Sequence, residues 1–407
     1  MNSPIELPVS ELKLALTGFS KVISKSSLPV LRSIRVTKDA DGRVSLAATD
    51  LDSFVSYRAE EEQPEKVPVT FLVPFESLAK TVKKALAKDR IGLFTEEKDR
   101  VVIRSMVSHT PIEEVFRVDP VEDWPVVPHV SGAIMPMQEV FKIAFKQAMD
   151  CASTEETRYV LNGVCLDTVE PQNHYVVGTN GRHLYAANSF CFDCKERIIV
   201  PNRRFLNWSG FLDDGLWSLA VQPGKEPEPS KDKDQKEEKE PGFIQIVSNH
   251  WTFITKLVDG VYPNWKQVLP DPNRPKTGFH LPEESVTAML EILPRIPGAD
   301  GLNDPVTLEM QSNQLLLRGR NSAKDRWTII PVPGAIVPDQ QIEVCLNRNY
   351  LAKALRMGLA EIELSPNGES VICRNGGRVI VIGPLRSELP KPEPAKPQTE
   401  PAASTQP

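Results

Sequence analysis

Lysine and arginine side chains recur on stretches whose apolar spacing predicts helices. The stretch from Glu76 to about Arg90 is predicted to be one such helix. It contains five basic residues and only two acidic ones. Dispersed basic side chains without interleaved aromatics suit contacts to phosphates, which position a duplex without reading its sequence. A merely solvated helix face is the alternative, but recurrence on several helices favours binding. The candidate residues are Lys13, Lys21, Lys25, Lys80, Lys83, Lys84, Lys88, Arg90, Lys142, Lys146, Arg203, Arg204, Arg348, Lys353 and Arg356.

Residues typical of catalysis or metal binding do not fall into a known pattern. The six histidines lack metal-ligand spacing, and Cys191 and Cys194 form a CxxC pair without a second pair at zinc-ribbon distance. His183 has no nucleophile or carboxylate partner recognisable in the sequence, and no glycine-rich phosphate loop occurs. We therefore expect no catalytic site, no metal site and no cofactor.

A polar turn beside apolar residues suggests a surface for a short peptide. Two β-branched stretches, Tyr159 to Leu166 and Tyr175 to Gly178, are predicted to form a β-hairpin. The Asn180-Gly181 turn behind them should project Arg182 and His183 beside Leu184 and Leu161, because glycine accepts a positive φ without steric cost.

Two motifs repeat along the chain and predict its organisation. A strand, a polar cap and a helix recur around Leu12, Val140 and Val286, and a second such motif recurs around Val73, Val200 and Leu346. The number of residues between successive copies is nearly the same for both motifs. A third, looser match pairs Thr49-Asp50 with Thr179-Asn180. The interval is longer in the second copy, where Pro223 to Pro241 contains no apolar side chain and should be a disordered loop insertion.

The repeats predict an α+β protein of three similar domains. Alternating apolar residues outside the helices favour mostly antiparallel sheet, with helices on one side. The predicted domains are residues 1–130, 131–273 (with the insertion 223–241) and 274–387. The proline-rich residues 388–407 are predicted to form a disordered tail.

Three blocks resemble a known family. RYVLNG from Arg158, TNGRHLYA from Thr179 and KLVDGVYPNWKQVLP (Lys256 to Pro270) are similar in order and spacing to the middle domain of the bacterial DNA polymerase III beta subunit, the sliding clamp. Weaker similarity extends from Leu28 to Arg386. The resemblance implies three tandem clamp domains with antiparallel sheets outside and two helices per domain inside, closed into a ring as a head-to-tail dimer.

The resemblance also implies roles for individual residues. Lys25 and the Arg158-Tyr159 pair match DNA-contacting positions, and they join Lys80, Lys83, Lys84, Arg203, Arg204 and Arg348 in the predicted DNA site. Glu76 and Glu155 stand where the family has a basic and a neutral polar contact, and Val160 replaces an aromatic one. The two acids should weaken DNA binding, or the DNA follows a slightly different path. The pocket for polymerase and clamp-loader peptides maps onto Leu161, Thr179, Gly181, Arg182, His183, Leu184, Pro270, Val381, Gly383, Pro384, Leu385 and Arg386. Arg182-His183 reverses the usual order, and Gly383 replaces a larger apolar residue.

A dimer contact follows from the same resemblance. It should join a domain-one edge strand at Thr110 and Ile112 to the domain-three helix end at Ile292, Leu293 and Ile296. Pro111, Pro294 and Pro297 interrupt these elements, so we expect a weaker dimer than the family norm.

These features favour a non-catalytic DNA sliding clamp that tethers the replicative polymerase. The expected partners are double-stranded DNA, the polymerase catalytic subunit, the clamp loader, other proteins with clamp-binding motifs and a second copy of the chain. One alternative is a divergent paralogue that acts as a peptide-binding adaptor with poor DNA loading; a repeat-built enzyme fits less well. A net charge of −6 argues against a protein that simply coats nucleic acid. The absence of a long apolar run and of a signal-peptide pattern predicts no membrane partner and a cytoplasmic location.

Overall fold

The computed structural model describes residues 3–23, 28–108, 110–188, 190–192, 194, 196–225, 240–269, 277–299, 303–322, 324–364 and 369–385. The chain divides into two compact units. The first comprises Met1–Pro270 with Gly376–Ile380, and the second comprises Asp271–Asn375 with Val381–Pro407. The tail and most of the insertion, for which disorder is predicted, lie outside the described residues.

The first unit contains two successions of strands and helices. Its first half comprises β1 (Ile5–Pro8), α1 (Val9–Phe19), β2 (Ser33–Lys38), β3 (Val44–Thr49), β4 (Ser53–Arg58), β5 (Val69–Pro74), α2 (Phe75–Lys84), β6 (Arg90–Glu97), β7 (Arg100–Val107) and β8 (Thr110–Arg117). Its second half comprises β9 (Met135–Pro136), α3 (Glu139–Cys151), β10 (Gly163–Asp167), β11 (Tyr175–Thr179), β12 (His183–Ala187), β13 (Ile198–Pro201), α4 (Ser209–Leu212), β14 (Ser218–Gln222), β15 (Phe243–Val247) and β16 (Trp251–Lys256). Four 3-10 segments lie at Pro29–Arg32, Val121–Asp123, Glu156–Leu161 and Trp265–Val268.

Antiparallel pairing joins the two halves of the first unit. One sheet has the order β1-β6-β7-β8, and β13, β10, β11 and β12 lie side by side in another. The third has the order β5-β2-β3-β4-β16-β15-β14-β9, in which Phe54 of β4 stands opposite Ile254 of β16. The insertion lies between the paired strands β14 and β15. The predicted α+β class with antiparallel sheets is confirmed.

α1 and α2 each begin directly after a proline that ends a strand. Pro8 and Pro74 have extended backbone with φ of −61° immediately before α1 and α2. Proline fixes this φ and lacks the N–H that the strand ladder would need, so it ends the strand at the helix start. Glu11 and Glu76 then lie in the first turns, where a negative charge interacts favourably with the helix dipole.

Two predicted elements differ from those in the structure. α2 ends at Lys84 rather than near Arg90, because the carboxylate of Asp89 accepts the Leu86 N–H at 2.8 Å and Arg90 begins β6 opposite Pro8. The second helix of the middle repeat is the single turn α4.

The first strand of the predicted hairpin also starts later than expected, at Gly163 rather than Tyr159. Pairing with β13 extends only from Gly163 to Leu166, so the preceding residues have no described partner strand and form the 3-10 segment Glu156–Leu161 instead.

Two turns, 130 residues apart in the chain, have the same hydrogen bonds. The Thr49 hydroxyl donates to the Ser53 carbonyl at 2.8 Å, and Asp50 Oδ1 accepts the Ser53 N–H at 2.7 Å. In the later turn the Thr179 hydroxyl donates to the His183 carbonyl at 2.6 Å, and Asn180 Oδ1 accepts the His183 N–H at 3.1 Å. The equivalence predicted from Thr49-Asp50 and Thr179-Asn180 is therefore present in the structure.

The second unit repeats the same kinds of element. It comprises β17 (Thr277–His280), α5 (Glu283–Ile292), β18 (Pro305–Gln311), β19 (Gln314–Gly319), β20 (Thr328–Ile336), β21 (Ile342–Asn347), α6 (Arg348–Arg356), β22 (Glu361–Leu364) and β23 (Val371–Asn375). The last strand, β24 (Arg378–Ile382), begins in the first unit and ends in the second. One antiparallel sheet has the order β20-β19-β18-β21, and β17, β22 and β23 form another.

Arg348, predicted to contact phosphate, instead binds backbone carbonyls inside the second unit. The residue is 3% exposed, and its guanidinium donates to the carbonyls of Asp304, Leu293, Ile296, Pro297 and Pro305. Several of these carbonyls lie at or just beyond the end of α5, where a helix leaves its acceptors unpaired. Arg348 is thus a structural residue, and the prediction that it contacts DNA is corrected.

Replacing Arg348 should destabilise the second unit. Arg348→Met is expected to lower the free energy of unfolding by about 3 kcal/mol, because several buried carbonyls lose their donor at once. Arg356→Met, on the exposed end of the same helix, serves as the control and should change it by less than about 0.5 kcal/mol. Urea unfolding of the full chain measures both values. Equal effects of the two substitutions would contradict the assigned role.

Candidate nucleic-acid and peptide interfaces

The solvent face of α2 carries exposed lysines. Lys80, Lys83 and Lys84 are exposed, whereas Leu78 and Val82 of the same helix are buried. Within the described ranges no ion pair neutralises these lysines. Two of them lie in the last turn, where a positive charge interacts favourably with the helix dipole. The helix therefore presents a positive surface that can contact phosphates.

Other predicted DNA contacts are less available. Lys25 lies outside the described residues. Arg203 lies before α4, and its Nη2 is 3.4 Å from the carboxylate of Asp52, so part of its charge is compensated. Arg204 is exposed beside it. On α3, Lys146 pairs with Asp150 at 3.0 Å. α2 therefore carries three exposed lysines, and Lys13 and Lys21 on and beside α1 are exposed as well.

The 3-10 segment that follows Glu155 carries Arg158 and Tyr159, two further predicted DNA contacts. Arg158 Nε lies 3.2 Å from the Glu155 carboxylate, and its Nη1 donates to the Asn180 carbonyl at 3.1 Å. Tyr159 is 59% exposed. A Cβ atom at Gly260 would lie 2.6 Å from Val160 Cγ1, so this segment packs directly against the Gly260 backbone.

The predicted peptide residues of the first unit are partly buried. Arg182 and Gly181 are exposed at the turn, whereas Leu161, Thr179 and Leu184 are buried beside it. His183 was expected to project with Arg182 but is also buried. It is the first residue of β12, and its Nδ1 lies 2.9 Å from Asn180 Oδ1. His183 therefore supports the turn from within.

The remaining predicted residues vary in exposure. In the second unit Val381 is buried, Gly383 and Pro384 are exposed, and the Leu385 N–H donates to the Cys345 carbonyl at 2.8 Å. Pro270 and Arg386 lie outside the described residues.

The proposed dimer residues also divide into two groups. Strand β8 is the last strand of its sheet, and Thr110 and Ile112 on it are exposed. In the second unit Ile292 is half-buried, but Leu293 and Ile296 are 1% and 3% exposed. These two side chains belong to the core of that unit, which corrects their assignment to the dimer contact. Apolar spacing at the end of a helix does not show whether the side chains lie in a dimer interface or in the core of the unit.

A buried carboxylate that the sequence analysis missed holds the segment before Pro270. Asp167 is 2% exposed, and its Oδ2 accepts Trp265 Nε1 at 2.8 Å and Arg197 Nη2 at 2.9 Å. The Trp265 ring also packs on Tyr175, with a centroid distance of 4.9 Å. The tryptophan inside KLVDGVYPNWKQVLP is the sequence feature that could have indicated this carboxylate, because a buried indole N–H needs a hydrogen-bond acceptor.

Removing this acceptor should loosen the Trp265–Val268 segment. Asp167→Ala is expected to lower the free energy of unfolding by about 2 kcal/mol, because the Trp265 N–H becomes a buried donor without an acceptor. Glu170→Ala is the control. It removes a solvent-exposed ion pair with Lys266 in the adjacent connection and should have a much smaller effect. Urea unfolding followed by tryptophan fluorescence distinguishes them, and an equal effect would contradict this role for Asp167.

Metal and membrane features were also sought in the part of the chain that the structure describes. There, no group of three or more His, Cys, Asp or Glu side chains is arranged to hold a metal ion. None of the described helices has the length and apolar character needed to cross a membrane.

Comparisons with known proteins give a consistent result. No protein-family model matches the chain. It is 23% identical over 251 residues to the beta sliding clamp of Pseudomonas putida and 24% identical over the same length to that of Escherichia coli; each match covers 60% of this chain. The chain spans 62% of the length of these curated relatives.

Solved structures extend the similarity to most of the chain. The DNA polymerase III subunit beta of Pseudomonas aeruginosa superimposes with a TM-score of 0.74 at 19% identity, covering 94% of this chain and 100% of that one. The sliding clamp of Caulobacter crescentus gives a TM-score of 0.74 at 19% identity and covers 95% of this chain and 100% of that one. The resemblance seen in the sequence is confirmed: the chain has the sliding-clamp fold, and its sequence is similar to those of bacterial beta sliding clamps.

Proposed function

We propose that the protein is a DNA sliding clamp, a processivity factor that encircles duplex DNA and tethers the replicative polymerase. The observation that carries this proposal is the sliding-clamp fold, which extends over 94% of the chain. In this mechanism the protein is a non-catalytic accessory subunit and needs no cofactor, because it acts by enclosing the duplex. A cytoplasmic location follows from this role.

The positive face of α2 is the proposed main contact to DNA. Lys80, Lys83 and Lys84 would release counterions from phosphates, and such contacts are independent of sequence. Arg204, Arg158 and Tyr159 add to this surface, and Lys25 remains a prediction from the resemblance. A site made of mobile lysine side chains suits a protein that must move along its duplex.

The exposed strand β8 is the proposed attachment site for a second copy of the chain. Met106, Val107, Ile112 and Val115 on or beside it are between 44% and 54% exposed. An edge strand with exposed apolar side chains is stable in solution when another strand covers it. A head-to-tail homodimer would close the ring. Leu293 and Ile296 are core residues and do not contribute to the dimer contact. The surface that meets β8 of the second copy would then consist of Ile292 and neighbouring exposed groups. We therefore propose a weak dimer.

The turn around Gly181 is the proposed first-unit part of a peptide surface. Exposed Arg182 beside the Leu161 and Leu184 side chains combines an apolar base with a polar orienting group, as small binding clefts do. The neighbouring clamps of Pseudomonas aeruginosa and Bartonella birtlesii were solved bound to griselimycin, which makes this compound a suitable probe. We propose that the polymerase, the clamp loader and other clamp-motif proteins use this surface. Val381, Gly383, Pro384 and Leu385 remain candidates from the resemblance.

Three clamp domains are proposed at residues 1–130, 131–273 and 274–387. The two equivalent turns at Thr49–Ser53 and Thr179–His183 support the first boundary, because their spacing of 130 residues is close to the repeat length. In each proposed domain a strand leads into a first helix, and a second helix follows later.

A second candidate function is a peptide-binding adaptor that is loaded poorly onto DNA. The observation that favours it is the compensation of basic residues, since Arg203 pairs with Asp52, Lys146 pairs with Asp150 and Arg348 is buried. The salt dependence of DNA binding distinguishes the two functions.

Substituting the α2 lysines should reduce the salt dependence of DNA binding. Each lysine that contacts a phosphate contributes about 0.9 to the slope of log affinity against log salt concentration. Lys80, Lys83 and Lys84 replaced together by alanine should therefore reduce the slope by about 2.7. Fluorescence anisotropy with a short labelled duplex measures it, and Lys98→Ala, on the β6–β7 hairpin, should leave the slope unchanged. An unchanged slope in the triple variant would refute the α2 contact.

Charging the exposed edge of β8 should weaken the dimer. Ile112→Lys is expected to raise the dimer dissociation constant by at least about tenfold, because an apolar contact of about 1.4 kcal/mol is lost and a charge is desolvated. Light scattering across a dilution series measures it, with Val126→Lys, at an 87% exposed position, as the control. A wild-type monomer at every accessible concentration would refute the ring, and equal behaviour of the two variants would refute the β8 contact.

A further inference from the structure

The two equivalent turns of the first unit have a positive φ at the same position, which is a leucine in one and a glycine in the other. Leu51 has a φ of +77° in the first turn, and Gly181 has a φ of +82° in the second. The Leu51 and Gly181 N–H groups both donate at 3.0 Å to the hydroxyl of the preceding threonine. Since the first turn holds a leucine in the same backbone conformation, φ alone does not require glycine in the second.

The side chain of Arg158 lies against this glycine. A Cβ atom at Gly181 would lie 2.8 Å from Arg158 Nη1, whereas Leu51 is 41% exposed. The same Nη1 donates to the Asn180 carbonyl. The second turn therefore contacts a guanidinium, and the Arg158 side chain would have to shift if residue 181 carried a Cβ atom.

Arg158 also belongs to the segment proposed to contact DNA. It lies where two 3-10 turns join, with φ of −113° and ψ of 50°, directly before the exposed Tyr159. Its side chain is 46% exposed and its Nε faces the Glu155 carboxylate. The guanidinium thus binds the Asn180-Gly181 turn, while part of the arginine side chain remains accessible to an anion from solvent.

A phosphate is a stronger partner for this guanidinium than the Asn180 carbonyl. The Asn180 carbonyl accepts one bond from this guanidinium and carries no net charge. A phosphate is an anion and can accept two parallel N–H···O bonds from an arginine. A phosphate beside Tyr159 would therefore draw Arg158 towards it. The Asn180-Gly181 backbone would then lose a hydrogen bond that holds it in place.

We propose that Arg158 is a positioning residue that couples duplex DNA to the peptide surface. Duplex bound at Arg158-Tyr159 releases the turn around Gly181 and lowers its affinity for peptide ligands. By thermodynamic linkage, a ligand that binds the supported turn lowers the affinity for DNA by the same factor. The inference rests on the proposed function, because it takes both surfaces from it.

The hydrogen bond itself can be tested without any ligand. Hydrogen exchange of the full chain should show faster exchange at the Gly181, Arg182 and His183 amides in Arg158→Ala than in the wild type. The equivalent amides of Leu51, Asp52 and Ser53 are the internal control and should not change. Unchanged exchange in the second turn would overturn the proposal.

The coupling is tested with griselimycin and a short duplex as the two probes. Saturating duplex should weaken griselimycin binding to the wild type by about fivefold or more, the lower range of typical couplings. In Arg158→Ala the affinity should be low from the start and independent of duplex. Lys80→Ala should need more duplex for saturation but retain the full effect, which separates lost coupling from weak DNA binding.

The outcomes separate this inference from the proposed function. If the wild type binds both probes and neither changes the affinity for the other, the coupling is refuted and the clamp function stands. If the wild type binds neither probe, the proposed function fails and the inference fails with it. An effect of duplex that persists unchanged in Arg158→Ala would refute the role of Arg158.

Discussion

The pairing of β4 with β16 is the interaction on which the first unit depends. Ser53 to Tyr57 pair with Trp251 to Thr255, and this ladder joins the strands of two repeats into one sheet. Side chains reinforce it: Asp52 lies within 3.4 Å of both Arg203 and Lys256, and the Tyr57 and Trp251 rings lie 4.8 Å apart. An unpaired edge strand would expose its backbone donors and acceptors and invite aggregation. Pairing β4 with β16 removes that liability for these two strands.

The proposed binding surfaces follow from this arrangement of backbone elements. α2 presents lysines because its other face, with Leu78 and Val82, is buried. The Thr179–His183 turn is held by its own threonine and asparagine side chains, with His183 buried behind it. β8 carries exposed apolar side chains at the end of its sheet. None of these surfaces needs a reactive group, which agrees with a protein that acts by holding its partners.

The sequence predicted the repeating organisation better than it predicted the surroundings of individual charges. A recurring strand, polar cap and helical apolar spacing predict the repeats, and their period pairs Thr49-Asp50 with Thr179-Asn180. The two turns share their hydrogen bonds because these join residues close in the chain. The sequence predicts a DNA contact for Arg348 because a buried arginine on a helix cannot be told from an exposed one by its sequence alone. Its true partners are backbone carbonyls about 40 to 55 residues away, which carry no signal in the sequence. Leu293 and Ile296 were misassigned for the same reason, since an apolar residue at an interface looks like one in a core.

The central claim is that the protein holds DNA by enclosing it. The most direct measurement is retention on a nicked circular duplex after assembly by its clamp loader, followed by cutting of the circle. Gel filtration at a salt concentration that abolishes binding to linear duplex separates bound from free protein. The sliding-clamp account predicts that the protein stays with the circle and is released when the circle is cut. Equal retention before and after cutting, or release from the intact circle, would contradict it.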